Sequence, residues 1–110
     1  MAPAITRGSI WWVNLDPTVG GEIQKTRPAV VIGADALNRV RRTIVVVPLS
    51  TGPVPRPPLT VPVPSAGNRS VAICDQLRAV DRTRLTGTLG NLSSEDLRAV
   101  EDGVRAVLQL

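Results

Sequence analysis

Apolar residues in this chain occur in short runs that polar or proline-rich segments separate, a pattern typical of a small β protein. Valine and isoleucine are frequent in the runs, and both residues favour strands. The third run is apolar enough to be buried on both faces of a sheet. The predicted strands are Ser9–Leu15, Arg27–Ala34, Thr43–Ser50, Leu59–Val63 and Ser70–Leu77, with a further short one allowed at Arg84–Leu92.

Proline places limits on two of these strands. Pro28 has no amide hydrogen for a sheet ladder, so it must begin its strand or lie where one side is unpaired. The segment 51–68 is rich in proline, and core strands are predicted on both sides of it. We therefore interpret it as a stiff surface loop that leads into an edge strand at Leu59–Val63. The polar segment Asp35–Arg42 is a connection with about one helical turn.

A helix is predicted at the C-terminus, with Ser93 as its N-cap. Glu95 and Asp96 fall in its first turn, where negative charge favours the helix dipole. One face carries an apolar stripe that we expect to pack on the core: Leu97, Val100, Val104, Val107 and Leu108.

These elements predict one domain over residues 1–110, mainly β with a C-terminal helix, in which about five short strands curl into a small barrel. Hydrophobic residues make up 43% of the chain, but there is no Phe, Tyr or His. The only aromatic residues, Trp11 and Trp12, are neighbours on a strand and must face opposite sides. We expect one of them in the core and the other at a dimer seam.

The formal net charge of +4 is unevenly distributed. Residues 1–56 hold seven Arg or Lys against three Asp or Glu, whereas the remaining residues hold six of each. Twelve of the thirteen basic residues are arginine, which suits bidentate contacts to phosphate or carboxylate. Nucleic acid is therefore a candidate partner.

Several kinds of site are excluded by the residues available. Without histidine there is no side chain that titrates near neutral pH, and no phosphate-binding or nucleophile-elbow motif occurs. Cys74 is the only cysteine, which excludes an intramolecular disulfide and a cysteine metal site and predicts an inert core thiol. We therefore expect no metal and no cofactor. The N-terminal residues lack a long apolar run, so no leader or membrane span is predicted, and a cytoplasmic location is expected.

Arginine, lysine and hydroxyl groups can bind a phosphodiester and stabilise charge on its oxygens. RNA carries its own nucleophile, because its 2′-hydroxyl can attack the adjacent phosphate. A protein that holds this attack in line needs no nucleophile of its own. The glycine-flanked segment from Gly20 to Arg27 is the candidate for such a site.

Four sequence blocks resemble, in order and spacing, the MazF/PemK toxins of bacterial toxin–antitoxin systems: RGSIWWVNLDPTVGGE, KTRPAVVI, VVPLST and CDQLRAVDRTRLTGTLGNLS. The resemblance spans residues 7–110. It implies a metal-independent, sequence-specific endoribonuclease with a Src-homology-3-like barrel, usually a homodimer. It also implies cleavage products with a 2′,3′-cyclic phosphate and a 5′-hydroxyl.

The resemblance assigns the family's catalytic arginine to Arg27 and its catalytic hydroxyl to Ser50 or Thr51. Because a guanidinium keeps its proton in water, we expect Arg27 to act mainly by electrostatics. The remaining candidates, for RNA binding, are Glu22, Lys25, Thr26, Asp75 and Gln76. The chain departs from common family residues at Asn14, Gly21 and Ile23 and in having Ser50 before Thr51, which bears on loop detail and base preference.

Two other functions fit the same barrel: a CcdB-like toxin that poisons DNA gyrase without catalysis, and a plain RNA-binding domain. The arginine and hydroxyl blocks favour the nuclease, since a gyrase poison has no use for that pair. The expected partners are single-stranded RNA, a second copy of the chain and an antitoxin with an acidic tail. We expect RNA and that tail to overlap on the basic half, around Lys25, Arg27, Arg39, Arg41 and Arg42.

Overall fold

The structure is a computed structural model that describes residues 3–110. It is an antiparallel β structure with a short helix and a longer C-terminal one, which confirms the predicted fold class. The strands are β1 (Ser9–Asn14), β2 (Thr26–Val31), β3 (Thr43–Ser50), β4 (Thr60–Pro62), β5 (Val71–Ile73), β6 (Arg78–Asp81) and β7 (Leu85–Asn91), and the helices are α1 (Asp35–Val40) and α2 (Ser94–Leu108).

Strand β3 holds the sheet together. The strand order is β4-β5-β3-β2-β1-β7, and β6 pairs with β3 outside this path. The first half of β3 pairs with β6, from Thr43 opposite Asp81 to Val46 opposite Arg78. Its end pairs with β5, where Ser50 lies opposite Val71. The two ends of β3 therefore lie in different surroundings.

The predicted strand Ser70–Leu77 is wrong as a continuous element. β5 stops at Ile73, a single 3-10 turn follows at Cys74–Gln76, and the chain resumes as β6. The turn forms because the Cys74 amide donates to Leu59 O at 2.8 Å and Cys74 packs in the core that α2 covers. Since these contacts are far apart in sequence, the local pattern does not reveal the break. With β7 formed in full, the strands number seven among the described residues, rather than about five.

Pro28 lies where the sequence predicts it can. Strand β2 pairs with β1 along Thr26–Val30, but β3 joins its other side only from Ala29 onward. Pro28 therefore faces no partner that needs an amide hydrogen on the β3 side. This gap leaves the start of β2 and the end of β3 as the walls of a cleft.

The sheet is buried on both faces, as the apolar run of β3 predicts. One face, with Val30 and Val47, packs beneath α2 around Val100. The other face, with Ala29 and Val46, packs around Trp11. Strand β4 lies at the end of the strand order, which confirms the predicted edge.

Helix α2 begins as predicted: the Ser93 hydroxyl accepts a hydrogen bond from the Asp96 amide at 3.1 Å. Leu97, Val104 and Val107 pack against the core around Val100. Leu108, which we expected in the same stripe, is 47% exposed because it is the last residue of α2. No helix within residues 3–110 is long and apolar enough to cross a membrane.

Candidate active site

A cleft of about 250 Å³ lies between the start of β2 and the end of β3. It contains the three residues predicted to be catalytic, Arg27, Ser50 and Thr51, together with Thr26. These residues are distant in sequence and meet because β2 and β3 run antiparallel. The full lining is Trp12, Thr26, Arg27, Pro28, Leu49, Ser50, Thr51 and Ser70.

The backbone and Nε of Arg27 are held by other parts of the chain, whereas its guanidinium has no carboxylate partner within residues 3–110. Its backbone is in register with Val13 of β1, and its Nε donates to Gln24 O at 3.2 Å. It takes part in none of the ion pairs formed within residues 3–110. A half-buried guanidinium without a carboxylate partner is suited to bind an incoming phosphate.

Four residues supply the hydroxyl groups of the cleft: Thr26, Ser50, Thr51 and Ser70. Ser50 ends β3, and its Oγ accepts a long hydrogen bond from the Gly52 amide at 3.4 Å. Thr51 is exposed at the start of the loop, whereas Ser70 is 9% exposed. Sequence reasoning missed Ser70. The available signal was its position just before β5, because β5 pairs with the end of β3 that carries Ser50.

Trp12 is the second residue that sequence reasoning did not assign to the site. The tryptophan predicted for the core is Trp11, which is buried, whereas Trp12 is 41% exposed. A dimer seam at Trp12 stays a prediction. Trp12 lies opposite Pro28 and lines the cleft beside Arg27. An exposed indole next to a phosphate-binding group can stack on a nucleobase.

The loop from Asp16 to Lys25 is fixed by its own side chains. The Glu22 carboxylate accepts from the Val19 amide at 2.5 Å and closes a turn. Lys25 has a φ of 71°, and its amide donates to the Asp16 carboxylate at 2.9 Å. Glu22 therefore has a structural contact, while the exposed side chain of Lys25 lies outside the cleft lining.

A second cleft, of about 370 Å³, brings together three of the residues predicted to bind RNA: Glu22, Asp75 and Gln76. Gln76 Oε1 accepts from the Ile23 amide at 2.7 Å, which ties the loop to the 3-10 turn. This bond orients the Gln76 amide, whose NH₂ group has no partner within residues 3–110. The predicted site residues other than Lys25 thus line two clefts, which the segment 23–25 connects along the chain.

The basic residues around which RNA and the antitoxin tail were expected to overlap do not lie together, while the overlap itself stays a prediction. Arg41 and Arg42 precede the first residue of β3, and Ser50 is its last. Seven steps along an extended strand span roughly 23 Å, so these arginines lie far from the cleft that holds Arg27. The positive charge of residues 1–56 is divided between the two ends of β3, because the chain runs the length of the sheet between them.

The side chains that line the cleft offer few kinds of functional group. Its lining contains a guanidinium, hydroxyls and an indole, with no carboxylate or imidazole. Within residues 3–110 no group of three or more Cys, Asp or Glu side chains is placed to hold a metal ion. Such a cleft can bind a phosphodiester and stabilise charge on it.

The fold and the cleft define a small β protein with an arginine–hydroxyl site, and the comparisons with known proteins agree on its class. Residues 6–108 match the model of the PemK-like, MazF-like toxins of type II toxin–antitoxin systems. The chain belongs to this family.

Individual members of the family are similar to this chain in sequence or in structure. The chain is 42% identical over 79 residues to endoribonuclease PemK of Escherichia coli, a match over 68% of this chain and 59% of that protein. It is 30% identical over 113 residues to endoribonuclease MazF9 of Mycobacterium tuberculosis, a match over 94% and 96% of the two chains. MazF of Deinococcus radiodurans is similar in structure, with a TM-score of 0.85 and 25% identity, a match over 99% of this chain and 100% of that one. A chain in the MazE–MazF structure from the same organism matches with a TM-score of 0.79 and 25% identity, over 98% of this chain and 99% of that one.

Proposed function

We propose that this chain is the toxin of a toxin–antitoxin pair and a metal-independent endoribonuclease that cleaves single-stranded RNA at a specific sequence. One observation carries the proposal: the guanidinium of Arg27, without a carboxylate partner, shares a cleft with the hydroxyls of Ser50, Thr51 and Ser70. The family membership and the endoribonuclease relatives support the same activity.

In the proposed reaction, the 2′-oxygen of the substrate forms a bond to phosphorus and the bond from phosphorus to the 5′-oxygen breaks. The products are a 2′,3′-cyclic phosphate and a 5′-hydroxyl. Arg27 binds the non-bridging oxygens, where negative charge increases in the transition state, and the Ser50 or Thr51 hydroxyl donates a further hydrogen bond. No carboxylate or imidazole lines the cleft, so the 2′-hydroxyl proton passes to water and water protonates the leaving oxygen.

The second cleft supports a role in choosing the RNA sequence. The oriented Gln76 amide and the Asp75 carboxylate present a donor and an acceptor of the kind that read base edges. Trp12 would stack the base beside the scissile phosphate, and Lys25 and Thr26 would contact the backbone at the mouth of the cleft. Glu22 would act by holding the loop that separates the two clefts.

The partners follow from the activity and the family. An antitoxin is implied by the type II toxin–antitoxin description, and an acidic antitoxin segment over Arg27 would block the phosphate site. A homodimer, which the resemblance implies, remains part of the proposal. Because its substrate would be messenger RNA, we place the protein in the cytoplasm.

Incubation with mixed-sequence RNA in excess EDTA, followed by end-group analysis, tests the proposal. We expect cleavage to persist and to leave a cyclic phosphate on one side and a 5′-hydroxyl on the other. Loss of cleavage that Mg²⁺ restores would contradict the metal-free mechanism. Intact RNA with or without Mg²⁺ at micromolar protein would favour a non-catalytic toxin or an RNA-binding domain.

A further inference from the structure

The loop that joins β1 to β2 ends at Lys25, two residues before Arg27, in a backbone conformation that favours glycine. Lys25 has a φ of 71°, in the left-handed region that few residues with a Cβ adopt. A residue stays in this region only where surrounding contacts hold it there. The contacts of Lys25 therefore set the direction in which the chain enters β2.

Asp16, at the other end of the loop, supplies one of these contacts. An oxygen of its carboxylate accepts a hydrogen bond from the Lys25 amide at 2.9 Å. The neighbouring Leu15 amide donates to Lys25 O at 3.0 Å, so both main-chain polar groups of Lys25 are paired. Because Leu15 is fully buried, this pairing fixes Lys25 to the core.

The start of the loop is held by two arginines from the segment 78–84. One Nη of Arg84 donates to Asn14 O at 3.0 Å and also to Asp16 O. A Nη of Arg78 donates to Leu15 O at 3.3 Å. Three consecutive main-chain oxygens are thus bound by guanidinium groups, whose planar forks hold them in fixed directions. The backbone that carries the Asp16 carboxylate is therefore fixed as well.

The end of the loop in turn holds the side chain of Arg27, because Gln24 O accepts from Arg27 Nε at 3.2 Å. Gln24 directly precedes Lys25, so rotation of the backbone at Lys25 would move this oxygen relative to Arg27. The backbone of Arg27 is fixed separately, opposite Val13 of β1. The loop therefore affects where the guanidinium points more than where the residue lies.

We propose that Asp16 and Arg84 are positioning residues for Arg27. They hold Lys25 in its left-handed conformation and thereby keep Gln24 O where it orients the guanidinium towards the scissile phosphate. Neither residue lines the cleft, so they act through the loop and not by touching the phosphate. The inference rests on the proposed nuclease function, in which a catalytic group misplaced by about 1 Å can lower the rate about 100-fold.

The test is single-turnover cleavage of a defined oligonucleotide, with circular dichroism to confirm folding. We expect Asp16→Ala to lower the cleavage rate on the order of 10- to 100-fold. Asp16→Asn keeps an oxygen that can accept from the Lys25 amide and should stay within about threefold of the parent. Arg84→Met should also slow cleavage, whereas Arg98→Met, which changes an exposed arginine on α2, is the matched control and should not.

A second substitution at Lys25 separates positioning from a general loss of stability. Glycine adopts a positive φ without strain, so adding Lys25→Gly to Asp16→Ala should raise the cleavage rate about threefold or more above that of Asp16→Ala alone. Adding Lys25→Ala removes the same positive charge but keeps a Cβ, and should recover none of the rate. The two double variants therefore differ only in how easily residue 25 adopts a positive φ.

Exchange of the Arg27 Nε proton with water, followed by NMR in the free protein, gives a readout that needs no catalysis. It should be faster in Asp16→Ala than in the parent, because the bond to Gln24 O is weakened. An unchanged cleavage rate in Asp16→Ala, equal rates in the two double variants, or unchanged exchange would each overturn the inference. A parent protein that cuts no RNA would contradict the proposed function instead, and the exchange rates would then decide whether Asp16 holds Arg27.

Discussion

The two ends of β3 carry arginines in contrasting surroundings. At the Ser50 end, Arg27 lies with hydroxyls and an exposed indole, in a cleft without acidic side chains. At the Thr43 end, Arg42 pairs with Asp81 at 3.6 Å, and Arg39 and Arg82 frame an apolar cavity. Both ends carry positive charge, so the kind of ligand that each end suits depends on the side chains around its arginines. Hydroxyls and an exposed indole suit RNA, whereas the cavity at the other end has no exposed aromatic side chain on which a base could stack.

The largest expected effect is on the rate of RNA cleavage when the arginine at the Ser50 end of β3, rather than one at the Thr43 end, is replaced. We expect Arg27→Ala to lower the rate of RNA cleavage by about 100- to 1,000-fold, the usual cost of one lost transition-state donor. Arg39→Ala is the matched control and should cleave at close to the parent rate. The measurement is single-turnover cleavage of a defined oligonucleotide, with circular dichroism to confirm folding. Arg27→Ala activity within a few-fold of the parent would remove Arg27 from the mechanism.

The adjacent tryptophans separate binding from stability. Trp11→Ala should lower the free energy of unfolding by about 3–5 kcal/mol, because Trp11 fills the core beneath β1. Trp12→Ala should leave stability nearly unchanged but weaken RNA binding by about 1–3 kcal/mol through lost stacking, and Trp12→Phe should recover part of it. Urea unfolding and binding of a noncleavable RNA give the two quantities. Equal RNA affinity in Trp12→Ala would leave the indole without a role in the site.

Gly103 tests the close packing of α2 against Cys74 and Pro58. A Cβ at this position would lie 2.7 Å from Cys74 Sγ and 3.2 Å from Pro58 O, so either the Cys74 side chain or α2 must shift to accommodate alanine. We expect Gly103→Ala to lower the free energy of unfolding by about 1–3 kcal/mol, as overpacking usually does, despite the better helix propensity of alanine. Adding Cys74→Ala should recover part of the loss. Unchanged stability in Gly103→Ala would mean that the helix is not packed this closely.

The smallest expected effect is a loss of stability in alkaline solution. Burial, with a lesser contribution from Asp75, raises the pKa of the Cys74 thiol from its ordinary value of 9.0 to about 11. The folded state therefore holds this proton more tightly than the unfolded chain, so the stabilisation is complete below pH 9 and is lost as pH rises from about 9 through 11. The chain has no tyrosine to titrate in the same window. Urea unfolding across this range should show a decline that Cys74→Ala reduces, and the same decline in both proteins would contradict the assignment.

Local patterns in the sequence account for much of the fold. Alternation and apolar runs located β1, β2 and β3, and the Ser93 cap located the start of α2. The break at Cys74–Gln76 was not predictable, because it depends on Leu59 and on the packing of α2. Leu108 fits the helical period but is exposed where α2 ends, which the period does not reveal.

The candidate site was predictable where strand ends determine it. Arg27 lies at the start of β2 and Ser50 at the end of β3, so the antiparallel pairing of these strands brings them together. Their roles in catalysis rest on the proposal. Ser70 and Trp12 were missed because their place in the cleft depends on which strands pair and on which face of β1 the core covers. The division of the arginines between two ends also required the topology, since composition counts charge without locating it.

The central claim is that the cleft around Arg27 directs the substrate's own 2′-hydroxyl. The most direct measurement is cleavage, in EDTA, of two matched oligonucleotides that contain the mapped cleavage sequence, one of them with a single 2′-deoxy nucleotide on the 5′ side of the scissile phosphate. We expect the all-ribose strand to be cut and the substituted strand to resist cleavage at that position while still competing for binding. Cleavage of the substituted strand at the same position and a similar rate would contradict it, because the attacking oxygen would then come from elsewhere.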